Sequence, residues 1–382
     1  MTEKKTIAIC GNQAFSLVMF RGDLARTLVQ DGHTVYALAP EYDAEHEDKV
    51  RALGAVPVPV DLARTGTNPV HDLFSIKTLY RELKKIRPDA VLSYAIKPSI
   101  YGTLAAWLAG VPKRVAMIEG LGYIFIDDEK PSAAKKLLKR CVMTMFRFGL
   151  SKAHCVIFLN RDDQGDFERY GLVRKGDSML LGGIGVDLDD WQASPPVTQP
   201  ITFTYVGRML ADKGVREFYE AAQIVKAVYP DTRFILVGRP DGNPREIAVD
   251  ELNSWVAAGT VEWVGHVPVK PWLKQTSVFV LPSYREGVPR STQEAMAMAK
   301  PVITTDVPGC RDTVIHGDNG YLVPARNAKS LAEAMVRFVE QPDLITAMGK
   351  RSRQIAEEKF DVSKVNAKII DVLGLSRTEE TP

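Results

Sequence analysis

The sequence has little of what builds disulfide frameworks, metal centres or membrane spans. Its 382 residues include four cysteines, Cys10, Cys141, Cys155 and Cys310, scattered with no C-x-x-C spacing. That predicts reduced, structural thiols and a cytoplasmic setting rather than a disulfide frame or a zinc site. The six histidines do not pair at ligand spacing, and Asp127-Asp128 reads as a turn-like acidic pair, so no metal site is expected. No apolar run approaches the roughly 20 residues that span a bilayer. The N-terminus passes from Met-Thr-Glu-Lys-Lys straight into a strand-like Thr6–Cys10, without the apolar core of a secretory signal. The net charge is only +2, which argues for no particular macromolecular partner, nucleic acid included. Electrostatic arguments must therefore be local.

What the chain does have is length and alternation. Its length exceeds one average core and suggests two domains. Short β-branched runs at Thr6–Cys10, Thr34–Ala39, Val56–Val60, Ala90–Tyr94, Arg114–Ile118 and Cys155–Leu159 alternate with helical segments such as Phe20–Gln30 and Asp72–Ile86. A second series starts after Trp191, with strands expected at Thr202–Gly207, Arg233–Gly238, Val261–Val264, Ser277–Leu281 and Pro301–Thr304. The Pro-rich stretch Ala193–Pro200 reads as the linker. The pattern predicts two doubly wound α/β domains, 1–190 and 200–359, facing across a cleft. Ligands of such sheets bind beyond the carboxyl ends of the strands, where helix N-termini attract anions.

The richest stretch is Tyr284–Lys300, YREGVPRSTQEAMAMAK. A buried strand leads into it, Gly287 and Pro289 mark a turn, Ser291 is the expected N-cap, and Thr292–Ala299 favours helix. Glu286 falls in the loop and Glu294 one turn into the helix. Two such carboxylates can accept hydrogen bonds from sugar and ribose hydroxyls while the amides at the helix start face phosphates. Spacing alone leaves open that Glu294 merely complements the helix dipole.

The longer segment EGVPRSTQEAMAMAKPVITTDVPG resembles the donor-site signature of the retaining family 4 glycosyltransferases, which have the GT-B fold. The resemblance implies that Glu286 contacts the transferred sugar, that Glu294 holds the ribose, and that Gly287, Val288, Pro289, Arg290 and Ser291 line the donor. It also gives meaning to VGRMLADKG at Val206–Gly214. As a lone R-x4-K this would be a solvated loop, and it is not a Walker A loop. In the family such a Gly-Arg…Lys-Gly element binds the donor diphosphate, which here means Gly207, Arg208 and Lys213. Stabilising charge on the departing nucleoside diphosphate is the main catalytic need. Gly238 and the Gly265-His266-Val267 loop match elements that frame the base, although a structural His266 fits equally.

In the first domain, Gly11–Phe15 follows the first strand, with Arg21 and Gly22 on the next helix. It is not G-x-G-x-x-G, so dinucleotide binding is unsupported. The resemblance places Gly11 and Asn12 near the diphosphate. Two further segments, Tyr94–Gly102 (YAIKPSIYG) and Ile118–Phe125 (IEGLGYIF), are expected as loops opening into the cleft. Many family members carry a His where this chain has Glu119. A retaining front-face mechanism needs no enzymic nucleophile, so Glu119 is left to accept a hydrogen bond or act as a base. Lys97, Tyr101, Gly120 and Tyr123 resemble the subgroup that extends polyprenyl-diphosphate-linked sugars, and would contact the acceptor. For Lys97 a plain surface cation is the competing reading.

The segment Ala133–Leu150 has the pattern of a basic amphipathic helix. On a wheel, Ala134, Leu137, Leu138, Cys141, Val142, Met145 and Phe148 share one face and Lys136, Lys139, Arg140 and Arg147 the other, together with Met143. The apolar face is expected to pack inward, with the basic face solvated or resting on an anionic membrane surface.

The resemblance implies transfer of a hexose or N-acetylhexosamine from a UDP-sugar to a lipid-linked, polyprenyl-diphosphate acceptor at the inner face of the plasma membrane, without a metal cofactor. It also implies a final helix, 360–375, returning to the first domain. A nucleotide-sugar epimerase of the same architecture, a transferase with a soluble acceptor and an idle scaffold are the alternatives.

Overall fold

The computed structural model describes residues 3–62, 69–121, 125 and 132–376. The chain divides into two compact units. One runs up to Leu181 and includes the stretch from Ser363; the other is Gly182–Val362.

The first unit carries β1 (Thr6–Cys10), α1 (Ala14–Gln30), β2 (Thr34–Ala39), α2 (Ala44–Ala52), β3 (Val56–Pro59), α3 (Pro69–Ile86), β4 (Ala90–Tyr94), α4 (Ile96–Ala109), β5 (Lys113–Ile118), α5 (Ala133–Leu150), β6 (Cys155–Phe158), α6 (Arg161–Arg169) and β7 (Ser178–Leu180). Its sheet is parallel, in the order β3-β2-β1-β4-β5-β6-β7. Helices on both faces let central strands be apolar throughout, and every residue of β4 is buried. Phe167 anchors the core beyond β6, with its ring 5.0 Å from Phe146 and 5.1 Å from Phe158.

The second unit contains β8 (Thr202–Val206), α7 (Val215–Lys226), β9 (Arg233–Val237), α8 (Val249–Ala257), β10 (Glu262–Trp263), α9 (Lys270–Lys274), β11 (Val278–Leu281), α10 (Arg290–Ala297), β12 (Val302–Thr305), β13 (Gly320–Val323), α11 (Ala328–Glu340) and α12 (Asp343–Lys359). The last helix, α13 (Val362–Val372), belongs almost wholly to the first unit. The second sheet repeats the same logic in the order β10-β9-β8-β11-β12-β13. In each sheet the strand order reverses beside the first strand of the unit, between β1 and β4 and between β8 and β11. Doubly wound sheets open a crevice for ligands at that reversal.

Four expectations need correction. The division falls at Leu181, upstream of the Pro-rich linker, because residues 182–195 are pinned to the second unit. The Gly185 amide donates to Gln293 Oε1 at 3.0 Å, the Val186 amide to the Phe360 carbonyl, and Lys300 Nζ to the Pro195 carbonyl. The expected loop 94–102 is instead the start of α4; Pro98 is tolerated there because first-turn amides have no intrahelical partner. Strands β7 and β13 were not expected. One is three residues long, and the other starts at Gly320, where any Cβ would strike the Val302 backbone. Finally, α5 is rotated from its wheel. Its buried residues are Phe146, Gly149 and Leu150, with Val142, Met143 and Met145 partly buried. Leu137 and Phe148 point outward, 64% and 57% exposed. Gly149 sets this rotation by bringing α5 against the backbone of Ile100 on α4.

Candidate active site

In the second unit, the loops leaving β8 and β11 are laced together at the strand-order reversal. Lys213 ends a short 3-10 turn, Ala211–Lys213, before α7. Its ammonium lies 2.5 Å from Glu286 Oε1, and Ser283 Oγ donates to the same oxygen at 2.7 Å. The Lys213 and Glu286 side chains are only 16% and 13% exposed, so this is an ion pair held largely out of water. Backbone contacts fix its position. The Glu286 amide donates to the Pro308 carbonyl at 3.0 Å, and the Tyr284 amide to the Asp212 carbonyl at 2.9 Å. Gly309, at φ +79°, leaves room for the Glu286 and Gly287 carbonyls where a Cβ would collide with both. Gly214, at φ +73°, does the same for the Pro282 carbonyl.

Arg208 is placed differently. Its guanidinium is 56% exposed and pairs with Asp241 at 2.9 Å. Lys213 and Glu286 are thus brought into contact, while Arg208 stands on the same loop with another partner. Gly207, Gly238 and Gly265 form a further cluster at the ends of β8, β9 and β10. The Gly207 amide donates to the Val237 carbonyl and the Gly238 amide to the Gly265 carbonyl, and a Cβ on Gly238 would strike the Gly207 carbonyl. Beyond it, His266 is exposed and Val267 half-buried.

The helix after Glu286 starts earlier than expected. Pro289 is the N-cap of α10 and makes no side-chain capping bond; Ser291, the expected cap, is already inside the first turn. Glu294 is therefore the fifth helical residue, and dipole stabilisation fades after the first turn. Its carboxylate instead accepts from Arg290 Nε at 2.9 Å. Burial raises the Glu294 carboxyl above its ordinary value, and Arg290 opposes that shift. Val288 is buried in the same turn, which leaves backbone as its contribution to a ligand.

In the first unit, Gly11 and Asn12 leave β1 beside Tyr94 at the end of β4. A Cβ on Gly11 would collide with the Tyr94 hydroxyl. That hydroxyl is 3.2 Å from Ser16 Oγ, which donates to Asn12 Oδ1. The guanidinium of Arg21 lies 4.9 Å above the Tyr94 ring. Arg21 is 1% exposed; it donates to the Phe20 carbonyl and Met117 Sδ, and forms an ion pair with Glu119. Glu119 is one-fifth exposed. Burial raises its carboxyl above the ordinary value, and the Arg21 charge pulls it back. Gly11, Asn12 and Glu119 are thus joined through Tyr94 and Arg21. Arg21 was not a candidate from sequence, although a cation among Leu17, Leu24 and Leu28 on the buried stripe of α1 is a readable signal.

The remaining first-unit candidates separate. Lys97 and Tyr101 sit one turn apart on α4, and both engage Asp72 of α3, the lysine at 2.9 Å. With its side chain 15% exposed and paired, Lys97 is no ordinary surface cation. Tyr101 is 3% exposed and acts as a core residue holding Asp72, so it is not presented to a ligand as expected. Gly120 takes φ +142° after Glu119. Tyr123 and the pair Asp127-Asp128 lie outside the described residues. Among the described residues, no three His, Cys, Asp or Glu side chains cluster as metal ligands.

Two doubly wound parallel sheets of this order are the architecture of the GT-B fold. Residues 22–179 match the family model described as Glycosyltransferase Family 4, and residues 200–341 the model described as Glycosyl transferases group 1. The chain belongs to the family 4 glycosyltransferases. It is 28% identical to the N,N'-diacetylbacillosaminyl-diphospho-undecaprenol alpha-1,3-N-acetylgalactosaminyltransferase of Campylobacter jejuni, over 92% of this chain and 93% of that one. It is also 28% identical to the UDP-Gal:alpha-D-GlcNAc-diphosphoundecaprenol alpha-1,3-galactosyltransferase of Escherichia coli, over 79% of each. The fold is shared with sucrose-phosphate synthase of Thermosynechococcus elongatus, at a TM-score of 0.78 and 18% identity over 97% and 98% of the two chains.

Proposed function

We propose that this glycosyltransferase moves a hexose or N-acetylhexosamine, with retention of configuration, from a UDP-sugar to a polyprenyl-diphosphate-linked acceptor. It would act at the inner face of the plasma membrane, in assembly of a bacterial surface polysaccharide or glycoprotein glycan. The observation that carries the reading is the Lys213–Glu286 pair at the strand-order reversal of the second unit. The names of the Campylobacter and Escherichia relatives support a lipid-linked acceptor.

In this reading Glu286 accepts hydrogen bonds from the donor sugar's hydroxyls while Lys213 faces the diphosphate. Arg208 adds a second cation, and the backbone of Gly287–Ser291 lies along the donor. Glu294, oriented by Arg290, accepts from the ribose, and the Gly207, Gly238, His266 and Val267 loops frame the base. The bond between the sugar's C1 and the β-phosphate oxygen breaks as the acceptor oxygen bonds C1 on the same face. The departing phosphate oxygen takes the acceptor's proton. The two cations offset the leaving group's charge, so the proposal includes no metal cofactor. Gly11, Asn12 and Glu119 serve the reacting end, with Glu119 as hydrogen-bond acceptor, while Lys97 and Gly120 serve the acceptor.

Glu286→Gln and Lys213→Ala should each lower kcat/KM for transfer by about 100- to 1,000-fold, with unchanged circular dichroism. Wild-type rates in both would sink the assignment. An NMR coupling constant showing inverted product would overturn retention, and conversion of donor with no acceptor present would favour an epimerase.

A further inference from the structure

We propose that the outward surface formed by the end of α4, the exposed stripe of α5 and the turn 151–154 docks on an anionic bilayer. This deepens the lipid-linked reading by naming the surface that would meet the membrane, but its observations are independent of that reading.

Four large apolar side chains are exposed here: Trp107 at 42%, Leu108 at 50%, Leu137 at 64% and Phe148 at 57%. Leu137, Cys141, Thr144 and Phe148 recur at i, i+4, i+7 and i+11, so they form one stripe, and all four are exposed. Lys152 ties the two helices' apolar residues together, its ammonium 4.7 Å from the Trp107 ring centre and 5.7 Å from that of Phe148. Lys136 and Arg140 are exposed beside the stripe.

The charge pattern selects the partner. Residues 90–118 and 132–161 contain ten lysines and arginines, of which Lys97 is paired with Asp72, and no aspartate or glutamate. In a chain of net charge +2 that is a strong local excess. Exposed aromatic and aliphatic groups interleaved with exposed cations such as Lys136 and Arg140 fit an interface of acyl chains beneath anionic headgroups. A protein partner of ordinary mixed charge would leave those cations unpaired. Among the described residues no helix is long and apolar enough to cross a membrane, so the contact is one of lying on the surface.

The test is flotation of the full chain, without nucleotide sugar, on vesicles of phosphatidylcholine alone and of phosphatidylcholine mixed with phosphatidylglycerol. Binding is expected on the mixed vesicles only, and it should weaken with salt. Lys136→Glu with Arg140→Glu, and separately Trp107→Ala with Phe148→Ser, should each reduce it by about tenfold or more. Cys141 gives a readout in the otherwise unaltered protein. It is exposed while Cys10 and Cys310 are buried and Cys155 is half-buried, so an environment-sensitive thiol dye on Cys141, with Cys155→Ser as the control for labelling there, should shift to the blue on mixed vesicles. Three results would each overturn the proposal: no binding to mixed vesicles, unchanged binding of both double variants, or dissociation of a dimer by the same substitutions without vesicle binding. Transfer to a short-chain, water-soluble prenyl-diphosphate acceptor is measured in parallel. If transfer persists while flotation fails, the docking surface falls and the proposed function stands.

Discussion

The ion pair between Arg21 and Glu119 makes a demanding prediction. Replacing Arg21 with Met keeps much of the side chain's length and removes its charge, leaving a carboxylate four-fifths buried without its cation. Breaking such a pair from one side costs about 3–5 kcal/mol. In a unit of this size that lowers the melting temperature by roughly 6–20 °C. The loss must depend on pH, because burial already holds the Glu119 carboxyl above its ordinary value and Arg21 is what opposes the shift. Without Arg21 the folded-state pKa rises further. Between the unfolded value and that raised one, the native chain holds a proton that the unfolded chain has released. Stability therefore falls as pH rises, by about 1.4 kcal/mol per unit, until the raised pKa is passed. Scanning calorimetry at about pH 5.5 and about pH 8 should find Arg21→Met weakened at both and more so at the higher. Adding Glu119→Gln should restore most of the loss at the higher pH, since the stranded charge is gone. Equal losses at the two pH values, or a double variant no better than the single one, would refute the reasoning.

Gly309→Ala should cost about 1–3 kcal/mol for a Cβ at positive φ. It should also lower transfer well beyond what the stability loss explains, because the carbonyls it meets belong to Glu286 and Gly287; thermal melts and kcat/KM at a permissive temperature separate the two effects. Lys300, 1% exposed, has its pKa lowered to about 8 by burial, with the Pro195 carbonyl at 3.4 Å as its hydrogen-bond partner. Its folded pKa lies below the unfolded one, so stability should rise as pH climbs from about 8 toward the unfolded value near 10.4. Lys300→Met should raise the melting temperature at neutral pH and flatten that rise; an unchanged slope would argue against it.

The strands other than β7 and β13 were readable because a sheet covered on both faces needs continuous apolar runs, and these were bounded by glycine and proline. The loop holding Glu286 was readable for the same reason: a buried strand, a Gly-x-Pro turn and a helix former follow one another. Contacts that depend on distant chain were not readable. Nothing local says that Asp72 takes both Lys97 and Tyr101, or that Arg21 meets Glu119 98 positions later. The wheel of α5 failed for a related reason. Apolar residues flank both sides of its stripe, and its rotation is set by one close approach, Gly149 against Ile100. Pro289 hid the start of α10 because a proline there offers no side-chain cap, and Ser291 looked better suited.

The first unit includes α13, which arrives near the far end of the chain. Between Leu181 and Ser363 a ribosome must add the whole second unit, which takes roughly 10–35 s at about 5–20 residues per second. Throughout that interval the first unit waits without the helix whose Val365, Ile369 and Ile370 are buried in the finished chain. The second unit, contiguous in sequence, can finish folding first even though it is made later. A fragment ending at Leu181 would lack that helix for good, while one spanning Gly182–Val362 would lack nothing of its own unit.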